Sequence, residues 1–314
     1  MKMNTSEMRF DGQVAIVTGA GGPEPNLGRS FAMLLAARGA KVVVNDLGVG
    51  ADGHGGLYKA SAEAVTKEIQ SAGGEAVADT NDVGDPASAK AIVQSAIDTW
   101  GRIDILVNNA GSTAPGLFED ISDADVQRVV TAHLMGNIWM CRAVWPHMKR
   151  ARYGRIVNIT SEAVFGFPYL AVYSAAKAGI FGLARNLALE GAKFNINVNA
   201  LGPRATTLKH LLFLEEKALQ SDGRPNRKPD QVAPLVAYLA HRDCPISGKF
   251  LNALGGHIFE TIFLNTRGHI NPVPTIENVR DNFAGAIDSS DAIGIPDVDI
   301  SKYETTQFKG VARL

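Results

Sequence analysis

Short apolar runs rich in β-branched residues recur along this chain with longer, alanine-rich segments between them, and this alternation constrains the fold more than any other feature. The runs cover residues 14–18, 41–45, 75–78, 103–108, 155–160 and 195–200. Between them, residues 29–38, 60–71, 87–100, 123–149 and 171–193 read as helices, several of which stop at or near a glycine. Strands separated by segments of helical length pair in parallel, because a parallel pair needs a long crossover where an antiparallel pair needs only a tight turn. The expected fold is therefore α/β, a doubly wound parallel sheet of the Rossmann type over residues 11–256, with an N-terminal arm at 1–10. Residues 257–314 form a C-terminal extension that lacks a strong period and carries Pro272, Pro274 and Pro296. It reads as a segment wrapped over the core or over a partner subunit, with a disordered final dozen residues as the alternative.

At 314 residues, 46% hydrophobic and 20% charged, the chain can bury a full core without covalent staples. A net charge of −1 gives no electrostatic case for nucleic acid or an anionic membrane as partner. Cys141 and Cys244 are the only cysteines and no His/Cys ligand cluster accompanies them, which argues against a disulfide framework and a metal site and suits a reducing compartment. Residues 1–13 carry no apolar signal region and no run approaches a membrane span. A soluble cytoplasmic protein is expected. The terminal Ala312-Arg313-Leu314 loosely matches the Ser-Lys-Leu peroxisomal address, which would carry weight only in a eukaryote.

Two stretches point to chemistry. After the first run come Thr18, Gly19, Ala20, Gly21 and Gly22, and then Asn26, Leu27 and Gly28 open a helix. Glycines there let the backbone approach a diphosphate at a helix N-terminus, where unpaired N–H groups and the dipole favour anions. Asp46 follows directly on the second run, where a carboxylate would accept hydrogen bonds from an adenosine ribose and repel a 2′-phosphate, so NAD is expected over NADP. Further on, Tyr173 and Lys177 lie four apart, one turn of a helix, with Ser161 twelve residues upstream. A fixed ammonium beside a phenol favours the phenolate and turns a weak base into a usable one. On spacing alone the pair fits a solvated helix face better than a catalytic one.

Taken in order, the glycine-rich turn, Asp46, Asp82-Val83, Asn108-Asn109-Ala110-Gly111, Ser161, Tyr173 with Lys177, and Gly202-Pro203 to Thr206 resemble the short-chain dehydrogenase/reductases over residues 11 to about 256. The resemblance implies hydride transfer between NAD and a secondary alcohol or ketone. It implies that Tyr173 exchanges the hydroxyl proton, Ser161 hydrogen-bonds the substrate oxygen, and Lys177 holds the nicotinamide ribose and lowers the tyrosine pKa. Gly19, Gly21, Asn26, Leu27 and Gly28 would cradle the diphosphate and Asp46 the ribose. Asp82 and Val83 would frame the adenine. Asn109, Ala110 and Gly111 would flank the cofactor, and Pro203, Thr206 and Thr207 would bracket the nicotinamide and diphosphate.

Three departures from the family pattern stand out. The turn from Thr18 to Gly28 is about three residues longer than usual, through Pro23-Glu24-Pro25, and is expected to bulge outward. His133 stands where the family carries a catalytic Asn; its carbonyl would hold a relay water, and a packed core histidine is the competing expectation. Ser161 is one residue closer to Tyr173 than usual, with Thr160 as the second candidate hydroxyl. Phe165, Phe167 and Tyr169, with Leu117, Phe118 and residues 208–219, are expected to line an apolar substrate pocket, and Lys209, His210, Arg224, Arg227 and Lys228 are candidates to meet CoA phosphates. Within the family the sequence resembles the branch that oxidises 3-hydroxyacyl-CoA, with a steroid hydroxyl as the alternative substrate. A homodimer or homotetramer is implied. A non-catalytic nucleotide-binding scaffold is the competing class, motivated by the altered turn.

Overall fold

The computed structural model describes residues 7–49, 60–207, 227–273 and 275–295. Eight strands form one sheet: β1 Val14–Thr18, β2 Lys41–Asn45, β3 Glu75–Asp79, β4 Ile105–Asn108, β5 Gly154–Ile159, β6 Ile196–Arg204, β7 Phe250–Leu254 and β8 His257–Thr261. They lie in the order β3-β2-β1-β4-β5-β6-β7-β8, and every pair from β3 through β7 is parallel. β1, β4 and β5 are buried throughout because helices cover both faces, as their largely apolar sequences suit. One face carries Phe31, Leu35, Val65, Ile69 and Val236, and the other Ile92, Val93, Met140, Val144 and Met148. The order reverses between β1 and β4, so the crevice that such folds use for ligands opens at the carboxyl ends of these two strands.

The crossover helices are α1 Leu27–Ala37, α2 Ala60–Ser71, α3 Pro86–Trp100, α4 Asp123–Val130, α5 Gly136–Ala151, α6 Ala171–Gly191 and α7 Ala233–Ala240. Asp85 caps α3 by accepting from Ser88 N–H at 2.7 Å, Pro86 fills its first position, and Gly101 ends it with a left-handed φ of 73°. The helix expected over 123–149 is interrupted: Thr131–Met135 forms a π turn between α4 and α5. A π turn inserts one extra residue into the helical repeat and occurs frequently at functional sites. Here it carries His133.

The chain divides into two compact units, 1–260 and 261–314. Within the described part of the second, β9 Leu264–Asn265 pairs antiparallel with β10 Ile293–Gly294. Between them α8 Ile276–Ala286 starts at Thr275, whose hydroxyl caps Asn278 N–H at 3.1 Å. No helix among the described residues is long and apolar enough to cross a membrane. Residues 208–219, including Lys209 and His210, and also Arg224 and the terminal Ala312-Arg313-Leu314 lie outside the described residues.

Candidate active site

The glycine-rich turn is built by close approach. A Cβ on Gly28 would lie 2.2 Å from the Gly19 carbonyl oxygen, and one on Gly19, whose φ is 63°, would lie 2.8 Å from Ala110 Cα. Only glycine fits either place. Thr18 Oγ1 accepts from the N–H groups of Asn109 and Ala110 at 3.0 Å each, and Asn109 Nδ2 donates back to the Thr18 and Gly19 carbonyls at 3.0 Å. The ends of β1 and β4 are thus cross-tied beneath the crevice. Asn26 closes the lengthened turn: its Oδ1 caps α1 by accepting from Arg29 N–H at 3.0 Å, and its Nδ2 donates to Gly21 O at 2.7 Å. Glu24 points away to Arg29, 3.3 Å distant, and is 73% exposed. Glu24 thus turns outward with its anion paired on the outer face, while Pro23 and Pro25 line the crevice, so the expected outward bulge holds for Glu24 alone.

Asp46 extends from β2 with both oxygens engaged. Oδ2 accepts from Gly21 N–H at 2.9 Å and Oδ1 from Gly48 N–H at 2.8 Å, with Ser61 Oγ at 3.5 Å. Beside it, Asp82 Oδ1 accepts from Gly84 N–H at 2.8 Å, while Val83 is buried against Gly136, where a Cβ would meet Val83 Cγ2 at 3.0 Å.

At the other end, α6 and the carboxyl end of β5 are locked reciprocally. Lys177 Nζ donates to Ile159 O at 2.5 Å, and Thr160 Oγ1 donates to Lys177 O at 2.7 Å. Thr160 is consumed by this lock and buried, which leaves Ser161 as the hydroxyl available to a substrate. Ser161 Oγ accepts from Ala163 N–H at 3.1 Å, and Ser161 and Tyr173 line the same cavity. Burial raises the Tyr173 pKa above the ordinary phenol value, and the Ser161 side chain opposes that rise. The expected lowering by Lys177 is not found, because the ammonium is bound to the Ile159 carbonyl and sits over the tyrosine ring, 5.6 Å from its centroid. Desolvation wins in this arrangement.

His133 is buried and packs edge-on against the Tyr173 ring, with centroids 5.1 Å apart at 86°. Its Nε2 lies 2.6 Å from Ser112 O, and any side chain on Gly111 would collide with the imidazole, 1.9 Å from Cε1. Asn137, one turn on, donates to the His133 carbonyl at 2.7 Å and so occupies one of its acceptor positions.

These groups converge on one cavity of about 1770 Å³. Gly19, Gly21, Asn26, Leu27, Asp46, Asp82, Val83, Asn109, Ala110 and Gly111 line one side. His133, Ser161, Phe167, Tyr169, Tyr173, Pro203, Thr206 and Thr207 line the rest. Gly28 and Lys177 sit behind the wall. Phe165 departs from expectation: the 3₁₀ turn Glu162–Phe165 directs its ring onto Phe250, stacked at 6.0 Å and 15°, instead of into the cavity. Leu117 and Phe118 are exposed and outside the lining. Arg227 lines the cavity and Lys228 does not. Burial lowers the Arg227 pKa and nearby Arg204 lowers it further, against an opposing pull from Glu162. Asn45, Asn81, Arg128, Glu162 and Arg204 also line the cavity and are absent from the sequence expectation. Positions beside Asp46, Asp82, Ser161 and Pro203 are the signal that would have found Asn45, Asn81, Glu162 and Arg204; Arg128, in α4, carries no such signal.

The cavity fits a dinucleotide. Side chains are excluded where a diphosphate would meet backbone, a carboxylate stands at the second strand, and a hydroxyl pair stands at the far end. The fold and the site define an oxidoreductase of the nucleotide-binding α/β class. Residues 13–212 match the family model for short chain dehydrogenase, and the chain belongs to that family. It is 41% identical over 292 residues to peroxisomal multifunctional enzyme type 2 of Mus musculus, an alignment that covers 91% of this chain and 38% of that protein. The structure of the full-length enzyme of that name from Drosophila melanogaster superposes with a TM-score of 0.72 at 34% identity, covering 92% of this chain and 48% of the other. The chain thus spans less than half the length of these relatives. A 7α-hydroxysteroid dehydrogenase complexed with NADH and 7-oxo glycochenodeoxycholic acid superposes with a TM-score of 0.71 at 31% identity, covering 79% of this chain and 95% of that one.

Proposed function

We propose that this oxidoreductase uses NAD to oxidise a secondary alcohol to a ketone, reversibly, with a 3-hydroxyacyl-CoA as substrate. The observation that carries the reading is the Ser161–Tyr173 hydroxyl pair in the same cavity as the glycine turn and Asp46. Bound NAD would supply the hydride acceptor. Tyr173 would take the alcohol proton, Ser161 would hydrogen-bond the oxygen as charge develops on it, and His133 would hold the Tyr173 ring by its edge contact. Lys177 would hold the tyrosine end of α6 against β5 and offer its ammonium to the nicotinamide ribose. Asp46 favours NAD because a 2′-phosphate would approach its carboxylate.

The CoA substrate is supported by the resemblance to the 3-hydroxyacyl-CoA branch and by the arginines 204 and 227 in the lining. A steroid hydroxyl is the second reading, supported by the likeness to the hydroxysteroid dehydrogenase and by the aromatic rim of Phe167 and Tyr169. Assembly as a homodimer or homotetramer through the helices spanning 123–149 and 171–193 is part of the proposal. So is residence in the cytoplasm, with which the buried free thiols of Cys141 and Cys244 agree. The test is NADH absorbance with panels of 3-hydroxyacyl-CoA and hydroxysteroid substrates. The acyl-CoA panel is expected to give the higher kcat/KM; a higher value with steroids would replace the substrate, and NAD binding without turnover of any alcohol would leave a scaffold.

A further inference from the structure

Behind the Asp46 side of the cavity lies a polar network with one buried hub. Asp79 ends β3, is 7% exposed, and accepts three hydrogen bonds: Asn45 Nδ2 and Asn81 N–H reach Oδ1 at 2.9 Å each, and Asn81 Nδ2 reaches Oδ2 at 3.0 Å. Asn45 Nδ2 also donates to Asn81 O at 3.0 Å. Asn81 is thereby gripped through its N–H, its carbonyl and its side chain. Backbone bonds extend the network, with Asp46 N–H donating to Asp79 O and Ala20 N–H to Asn45 O, both at 3.0 Å. The Asp79 carboxylate joins the end of the strand that presents Asp46 to the loop that begins at Asn81.

We infer that Asp79 is a positioning residue for the adenosine half of the dinucleotide, acting through Asn81 on Asp82 and Val83. The ladder between β2 and β3 ends at Asn45 and Asp79, so no sheet pairing fixes Asn81 two residues further on. Its place is set by the bonds to Asp79 and Asn45. Asn45, Asn81, Asp82 and Val83 line the cavity while Asp79 stands behind them. A buried carboxylate persists where hydrogen bonds offset its lost hydration, and every donor Asp79 uses belongs to a cavity-lining residue.

The inference rests on the NAD reading, and its test separates the two. AMP binding is measured by calorimetric titration on wild type, Asp79→Ala and Asp79→Asn, alongside steady-state kinetics with NAD and with nicotinamide mononucleotide, which lacks the adenosine. Asp79→Ala is expected to weaken AMP binding and raise the KM for NAD by about tenfold each, roughly 1.4 kcal/mol, with kcat held within about twofold. Rates with nicotinamide mononucleotide are expected to match wild type. Asp79→Asn keeps an acceptor for Asn45 and the Asn81 N–H and loses the bond from Asn81 Nδ2, so about a threefold loss is expected. Unchanged AMP affinity in folded Asp79→Ala, or in Asp79→Asn where the alanine variant does not fold, overturns the inference. An equal loss with nicotinamide mononucleotide overturns it as well. Wild type that binds AMP but oxidises no alcohol would defeat the NAD-dehydrogenase reading and leave the role of Asp79 standing.

Discussion

The two ends of the cavity are held in different ways. At the nucleotide end, short buried or half-buried side chains tie the backbone down: Thr18, Asn45, Asp46, Asp79 and Asn109 each hold backbone groups of a neighbouring strand or turn. At the substrate end, Phe167 and Tyr169 are 54% and 62% exposed, and Tyr169 has a positive φ of 66°. The floor there is held where Thr160 and Lys177 clamp α6 to β5. A cross-tied nucleotide end and a clamped floor beneath an exposed aromatic rim suit the proposed chemistry on an alcohol. Substitutions at the first should act on cofactor affinity or rate, and substitutions at the rim on substrate choice.

The sharpest way to break that contrast is Gly28→Ala, whose methyl would lie within 2.2 Å of a fixed carbonyl oxygen. It should weaken NAD binding by about 100-fold or more, read by titration, because neither backbone can yield without undoing α1. Ser161→Ala should lower kcat by roughly 100-fold, the scale of losing one donor to a developing oxyanion. It should also move the pH profile. Oxidation needs deprotonated Tyr173, burial raises that pKa and the Ser161 side chain lowers it, so activity should climb with pH and the variant's limb should lie at higher pH than wild type. Asp46→Ala should cut the preference for NAD over NADP by about tenfold in the ratio of kcat/KM values, since it removes a repulsion and a ribose acceptor together. Smallest of all, Glu24→Ala should leave the KM for NAD within about twofold, because an exposed ion pair on the outer face contributes little. A large effect there would mean that the insertion enters the diphosphate site.

Most of the sheet was legible because buried parallel strands declare themselves as uninterrupted β-branched runs, and β1, β2 and α2 fall on the residues the pattern gave. β7 escaped because Phe250-Leu-Asn-Ala-Leu has a polar centre in Asn252, and α7 because eight residues with a proline in the first turn hold barely two turns of period. The π turn at 131–135 was illegible, since apolar spacing records which face is buried and not which carbonyl each N–H meets. At the site, ordered motifs carried the identities, whereas partnership was a tertiary matter. Lys177 and Tyr173 share a face as their spacing demands, yet which oxygen the ammonium reaches depends on where β5 ends. Asn45 looked like the end of a strand and Asn81 like a loop residue, and only the fold shows that Asp79 joins them.

The central claim is that Tyr173 deprotonates an alcohol as NAD is reduced. Following absorbance at the NADH band with a 3-hydroxyacyl-CoA, in wild type and in Tyr173→Phe, tests it most directly. Wild type should accumulate NADH, and the phenylalanine variant, with its ring packing preserved, should lose roughly 10²–10⁴-fold in kcat while binding NAD as before. Turnover in Tyr173→Phe close to the wild-type rate would contradict the account.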